Sequence, residues 1–159
     1  MQINFTLNSK AQSLTIDPMQ SLLKTLRDVI GLKATKEGCG EGECGACSAI
    51  VNGKLVNTCL FPIAQVDGAE VLTLEGLRET PRGRCLIDAL LTAKGVQCGF
   101  CTPGMVLALY QVLVNSPDVK TITEQDIRVG ISGNLCRCTG YAMIVDAVKI
   151  AVEQGGDLW

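Results

Sequence analysis

Nine cysteines in a chain of 159 residues without a single histidine constrain this molecule more than anything else in its sequence. Clustered thiols serve as disulfides, metal ligands or redox centres, and the compartment helps decide which. The N-terminus, Met1-Gln2-Ile3-Asn4-Phe5-Thr6-Leu7, has no basic region, no continuous apolar stretch and no arginine pair. Nothing there marks the chain for export, so a cytoplasmic location is expected. In that reducing pool disulfides are rare and metal or redox use is favoured, in keeping with the odd count. Without histidine, Ser-His-Asp and Cys-His nucleophile systems, histidine metal sites and Rieske centres are all excluded.

Cys39, Cys44, Cys47 and Cys59 are separated by four, two and eleven residues, the spacing of plant-type 2Fe-2S ferredoxins. Three thiolates on one loop and a fourth from beyond it can surround such a core only where the backbone curls tightly. Gly38, Gly40, Gly42 and Gly45 interleave these cysteines, permitting the curl and bringing amide N–H groups close to the sulfurs of an anionic cluster. A zinc site or a free-thiol patch would leave that glycine density unexplained. The second group is Cys98 and Cys101 followed, after 34 intervening residues, by Cys136 and Cys138. Each pair sits at an element boundary, so two loops at one end of a helical domain could converge on a single centre. Spacing alone leaves a tetrahedral zinc site and a redox dithiol open here beside a cluster. Cys85 is left over as an apolar packing thiol among Leu86, Ile87, Ala89 and Leu90. Arg137, between two cysteines, either offsets cluster charge or simply faces solvent. Tyr141 and Trp159 read as packing aromatics.

The alternation of Ile3, Phe5 and Leu7, a turn at Asn8-Ser9-Lys10 and a strand from Ser13 to Ile16 predict a hairpin. Leu22, Leu23, Leu26, Val29 and Ile30 recur at helical spacing, with Asp17-Pro18 as the start and Gly31 as the stop. Asn52-Gly53 between Ala49–Val51 and Leu55-Val56 marks a second hairpin, and Val71–Leu74 a further strand. The N-terminal half is thus expected to be a small mixed sheet crossed by one helix. In the second half four helices are expected, over 85–93, 105–114 behind Thr102-Pro103, 123 to about 133 behind a Thr123–Asp126 capping box, and 142–152. Four such helices pack naturally as a bundle. The fold class is α+β, with domains at 1–76 and 84–159 and a linker at 77–83. A net charge of -2 without any Lys/Arg run argues against nucleic-acid or membrane-surface partners. No apolar stretch is long enough to span a bilayer, and no phosphate-binding or dinucleotide fingerprint is present.

Four segments carry a specific likeness: Thr35-Lys36-Glu37-Gly38-Cys39, Gly42-Glu43-Cys44-Gly45-Ala46-Cys47, Gln97-Cys98-Gly99-Phe100-Cys101-Thr102-Pro103-Gly104 and Gly133-Asn134-Leu135-Cys136-Arg137-Cys138-Thr139-Gly140-Tyr141. In order along nearly the whole chain they resemble the small iron-sulfur subunit of the molybdenum hydroxylases, the family of xanthine dehydrogenase, aldehyde oxidoreductase and aerobic carbon monoxide dehydrogenase. The resemblance implies a 2Fe-2S cluster on Cys98, Cys101, Cys136 and Cys138, nearest the molybdenum, in a four-helix bundle. It implies a distal 2Fe-2S cluster on Cys39, Cys44, Cys47 and Cys59 in a ferredoxin-like β-grasp domain. It also implies that Gln97 and Cys138 touch the pterin of a molybdenum cofactor bound mainly by a large partner subunit. Electrons would leave through the FAD of a medium subunit in a heterotrimer or its dimer, with those partner domains on separate polypeptides. Ser48 departs from the threonine common after the third cysteine. The competing expectation is a free-standing two-cluster ferredoxin.

Overall fold

The computed structural model describes residues 1–159. Two hairpins build most of its sheet. Strands β1 (Gln2–Leu7) and β2 (Lys10–Thr15) pair antiparallel with Ile3 opposite Leu14 and Leu7 opposite Lys10. Their turn is Asn8-Ser9, at φ 50° and 65°, a left-handed pair whose twist matches that of the flanking strands. Strands β3 (Ser48–Val51) and β4 (Lys54–Asn57) turn in the same way at Asn52-Gly53, with φ 46° and 76°. Strand β5 (Glu70–Leu72) inserts between the hairpins and gives the order β2-β1-β5-β3-β4, parallel only between β1 and β5.

Ile3, Phe5 and Leu7 point to one face of this sheet and pack with Leu22 and Leu26 of the crossing helix, joined by Ile63, Val66 and Val71. That helix, α1 (Leu22–Lys24), runs on into a π-helical stretch at Thr25–Val29, where the Ile30 N–H reaches back five residues to the Thr25 carbonyl at 3.0 Å. Its N-cap is Ser21, whose hydroxyl accepts the Lys24 N–H. It therefore starts later than Asp17-Pro18, because the Asp17 carboxylate caps a local turn at the Met19 N–H instead.

The second half holds α2 (Leu74–Leu77), α3 (Pro81–Thr92), α4 (Thr102–Asn115), α5 (Glu124–Gly130) and α6 (Ala142–Gly155). Residues 77–83, the expected linker, carry the end of α2, a turn and the start of α3. Thr102 lies inside α4, with Cys101 at the cap position, and the Thr123–Asp126 capping box opens α5 as expected. α4 is buried nearly all round: Met105 to Leu109 and Leu113 meet β3, α2, α3 and α5, while α3 and α6 pack side by side. Ile50 of β3 belongs to this second core, so the sheet is clamped between α1 on one face and α4 on the other. Trp159 closes the far end, its indole N–H donating to the Ala151 carbonyl at 2.8 Å and the Arg82 guanidinium lying over its ring. No helix is long and apolar enough to cross a membrane.

Candidate metal centres

The first cysteine loop is closed at its base by the Lys36 N–H bonding the Ala46 carbonyl at 3.1 Å, and Arg27 braces it by donating to the Thr35 carbonyl at 2.7 Å. Gly40, Gly42 and Gly45 adopt φ of 73°, 83° and 68°, which turns successive amides inward. The N–H groups of Glu41 and Glu43 donate to Cys39 Sγ at 3.5 and 3.4 Å, and the Cys39 N–H donates to Cys44 Sγ at 3.4 Å. The Glu41 N–H, with those of Cys44 and Glu43, lowers the exposed Cys39 thiol to about 6. Cys47 lies just before β3 and Cys59 just past β4, and Thr58 Oγ1 donates to the Cys47 carbonyl at 2.7 Å. Burial pushes the Cys47 thiol up to about 11, and the neighbouring Cys59 thiol acts on it as well. The four thiols thus stand as two pairs, Cys39 with Cys44 and Cys47 with Cys59.

The second set repeats this arrangement. Cys98 and Cys138 are exposed with their sulfurs 3.5 Å apart, and the Cys101 and Cys136 thiols neighbour each other deeper in. Burial pushes Cys101 up to about 12, with the Cys136 thiol adding to it. Burial opposes ionisation of Cys136 too, but the Thr139 hydroxyl at 3.2 Å and the Thr139 and Cys138 N–H groups outweigh it and lower that thiol. Contact with Cys98 raises Cys138. Gln97 is exposed beside Cys98, and Arg137 is exposed between its two cysteines. Thiols standing two by two are an arrangement that a core of two irons bridged by sulfide can take up, one pair to each iron. Loading either core displaces protons from Cys47 and Cys101, since only thiolates bind iron.

Residues 5–73 match the family of 2Fe-2S iron-sulfur cluster binding domains, and residues 73–149 match that of 2Fe-2S binding domains. The chain is 47% identical over 152 residues to the nicotinate dehydrogenase small FeS subunit of Eubacterium barkeri, covering 96% of this chain and 95% of that one. It is 42% identical over 146 residues to the xanthine dehydrogenase iron-sulfur-binding subunit of Escherichia coli O157:H7, covering 92% and 91%. The chain belongs to the small iron-sulfur subunits of the molybdenum hydroxylases. Among solved structures, quinoline 2-oxidoreductase from Pseudomonas putida 86 superposes with a TM-score of 0.88 at 36% identity, over 98% of this chain and 97% of that one. Two 2Fe-2S clusters are the cofactors of this iron-sulfur subunit, and its paired thiols fit them.

The two cysteine sets of the subunit meet directly across the contact between sheet and helices. The N–H of Leu135, next to Cys136, donates to the Cys44 carbonyl at 2.9 Å. Asn134 is buried and its amide donates to the Gly45 carbonyl at 3.0 Å and to Ser48 Oγ at 3.1 Å. Ser48 Oγ itself donates to the Gly45 carbonyl at 2.7 Å, so serine supplies the hydroxyl this position uses. Gly45 and Gly104 touch backbone to backbone, with no room for a Cβ on Gly104. Asn134, Thr139 and Tyr141 gain roles here that sequence reasoning missed. Tyr141 does more than pack: its phenol oxygen accepts the Cys136 N–H at 2.9 Å, and its backbone is left-handed at φ 69°. The one available signal was their place inside the segments that flank the cysteines. Cys85 stands apart from both sets, against the Ala151 carbonyl, with its thiol raised by burial.

Proposed function

We propose that Cys98, Cys101, Cys136 and Cys138 hold the cluster that receives electrons from the molybdenum cofactor of a large subunit. Cys39, Cys44, Cys47 and Cys59 then hold the cluster that delivers them to FAD in a medium subunit. The observation that carries this series arrangement is the Leu135 N–H to Cys44 carbonyl bond, which ties a neighbour of one thiol set to a member of the other. The clusters supply one-electron carriers, and the substrate's chemistry takes place on the large subunit. This chain's own residues set burial, spacing and N–H to sulfur bonds, the quantities that tune cluster potential. In this proposal a β-grasp domain at 1–76 and a helical bundle at 84–159 divide the two roles, with 77–83 between them. Gln97 and Cys138 face the pterin, and the exposure of both beside Cys98 supports that placement.

The assembly is a heterotrimer or its dimer in this proposal. Isolating the complex through a tag on this chain should yield roughly four irons per chain, with molybdenum and flavin near one each. The same iron without molybdenum, flavin or partner chains would make this a free-standing two-cluster carrier.

A further inference from the structure

Phe100 is the residue whose place in the sequence and place in the structure disagree. By sequence it belongs to the second cysteine set, between Cys98 and Cys101. It joins neither hydrophobic core and remains 46% exposed, unusual for an aromatic held in a short, well-defined loop. Its ring edge instead reaches the first set. A Cβ placed on Gly38 would lie 3.7 Å from Phe100 Cε1 and 2.8 Å from Cys44 Sγ. The ring and the thiol therefore border the same point, one left open by a residue without a side chain. On its other side the first loop has an apolar cover from its own domain, since Leu60 occupies the space over Gly42, 2.6 Å from where a Cβ would stand.

We infer that Phe100 is the apolar cover of the first cysteine set, supplied by the loop of the second, and that it helps to set the potential of the first set's cluster. This rests on the two-cluster function proposed above. The physical reason is charge. A reduced 2Fe-2S core on four thiolates carries one more negative charge than the oxidised one, so water near its sulfurs favours the reduced form. The N–H groups around Cys39 already act in that direction, and an aromatic edge beside Cys44 acts against it by keeping water away. Phe100 is a positioning residue in this sense: it bonds no iron and accepts no electron.

The test is a potentiometric titration of the whole subunit, following each cluster's paramagnetic signal separately in wild type, Phe100→Ala and Phe100→Leu. Phe100→Ala should raise the midpoint of the first set's cluster, so that several-fold more of it is reduced at the wild-type midpoint. The second cluster should move less, and Phe100→Leu, which keeps an apolar cover, should stay near wild type. Loss of the first cluster alone in Phe100→Ala would support the same role, because the substituted residue lies in the other set's loop. An unmoved first midpoint, a Phe100→Leu shift as large as that of alanine, or loss of only the second cluster would overturn the inference. A wild-type chain with a single signal would overturn the two-cluster function itself, and this inference with it.

Discussion

Cys101→Ala should remove one cluster, cut the iron per chain by about half, and abolish electron flow from substrate to flavin. Cys101 is the deepest thiol of its set, paired with Cys136 and pushed up to about 12 by burial. Alanine leaves three sulfurs and a small void where a fourth must close the site, and closed metal sites rarely survive the loss of one ligand in four. The first set should keep its cluster, because Cys39, Cys44, Cys47 and Cys59 stand on loops that flank the β3–β4 hairpin and none of them lies in the segments that carry the second set. Iron analysis with electron paramagnetic resonance on the purified variant checks both halves of this result. Survival of both signals would show that Cys101 is not a ligand.

Gly104→Ala should strongly destabilise the fold although it adds a single methyl group. Gly104 lies in the first turn of α4, and a Cβ there would collide with the Gly45 carbonyl oxygen. Both partners are backbone, so no rotamer change relieves the clash. α4 is fixed by its buried length and the first loop by its own bonds. The two must separate, which breaks the Asn134 bonds to Gly45 and Ser48 and strains the Leu135 bond to Cys44. Overpacking of about 1–3 kcal/mol, plus about 1 kcal/mol for each hydrogen bond lost, gives roughly 3–5 kcal/mol. For a chain of this size that is a fall in Tm of about 6–20 °C. Gly133→Ala is the control, since a Cβ at Gly133 meets nothing within 4 Å, and it should stay within about 1 kcal/mol of wild type. Thermal unfolding of the two variants side by side checks the contrast. A Gly104→Ala chain as stable as Gly133→Ala would show that the seam between the cysteine sets yields freely.

Local signals carried well from sequence to structure, because each hairpin and most helices are decided by neighbours in the chain. Alternation placed Ile3, Phe5 and Leu7 in the core, Asn52-Gly53 turned where a left-handed pair was needed, and Thr123 with Asp126 capped α5. The start of α1 was misjudged because Asp17 spends its carboxylate on a local turn, a choice that Ser21 makes possible by capping the helix later. The insertion of β5 between two hairpins, the bond from Asn134 to Gly45 and the reach of Phe100 to Gly38 were not legible at all. Each depends on segments dozens of residues apart arriving at one place, and no periodicity or spacing encodes that. The two sets of cysteines were visible in the spacing, but which thiols neighbour each other within a set emerged only from the geometry.

The most direct test of two clusters on eight cysteines is electron paramagnetic resonance of the fully reduced subunit, with iron and zinc measured on the same sample. Two distinct signals of about one spin each per chain, with roughly four irons and no stoichiometric zinc, are the expected result. One signal with about two irons and one zinc would contradict the account, and would reassign Cys98, Cys101, Cys136 and Cys138 to a structural zinc site.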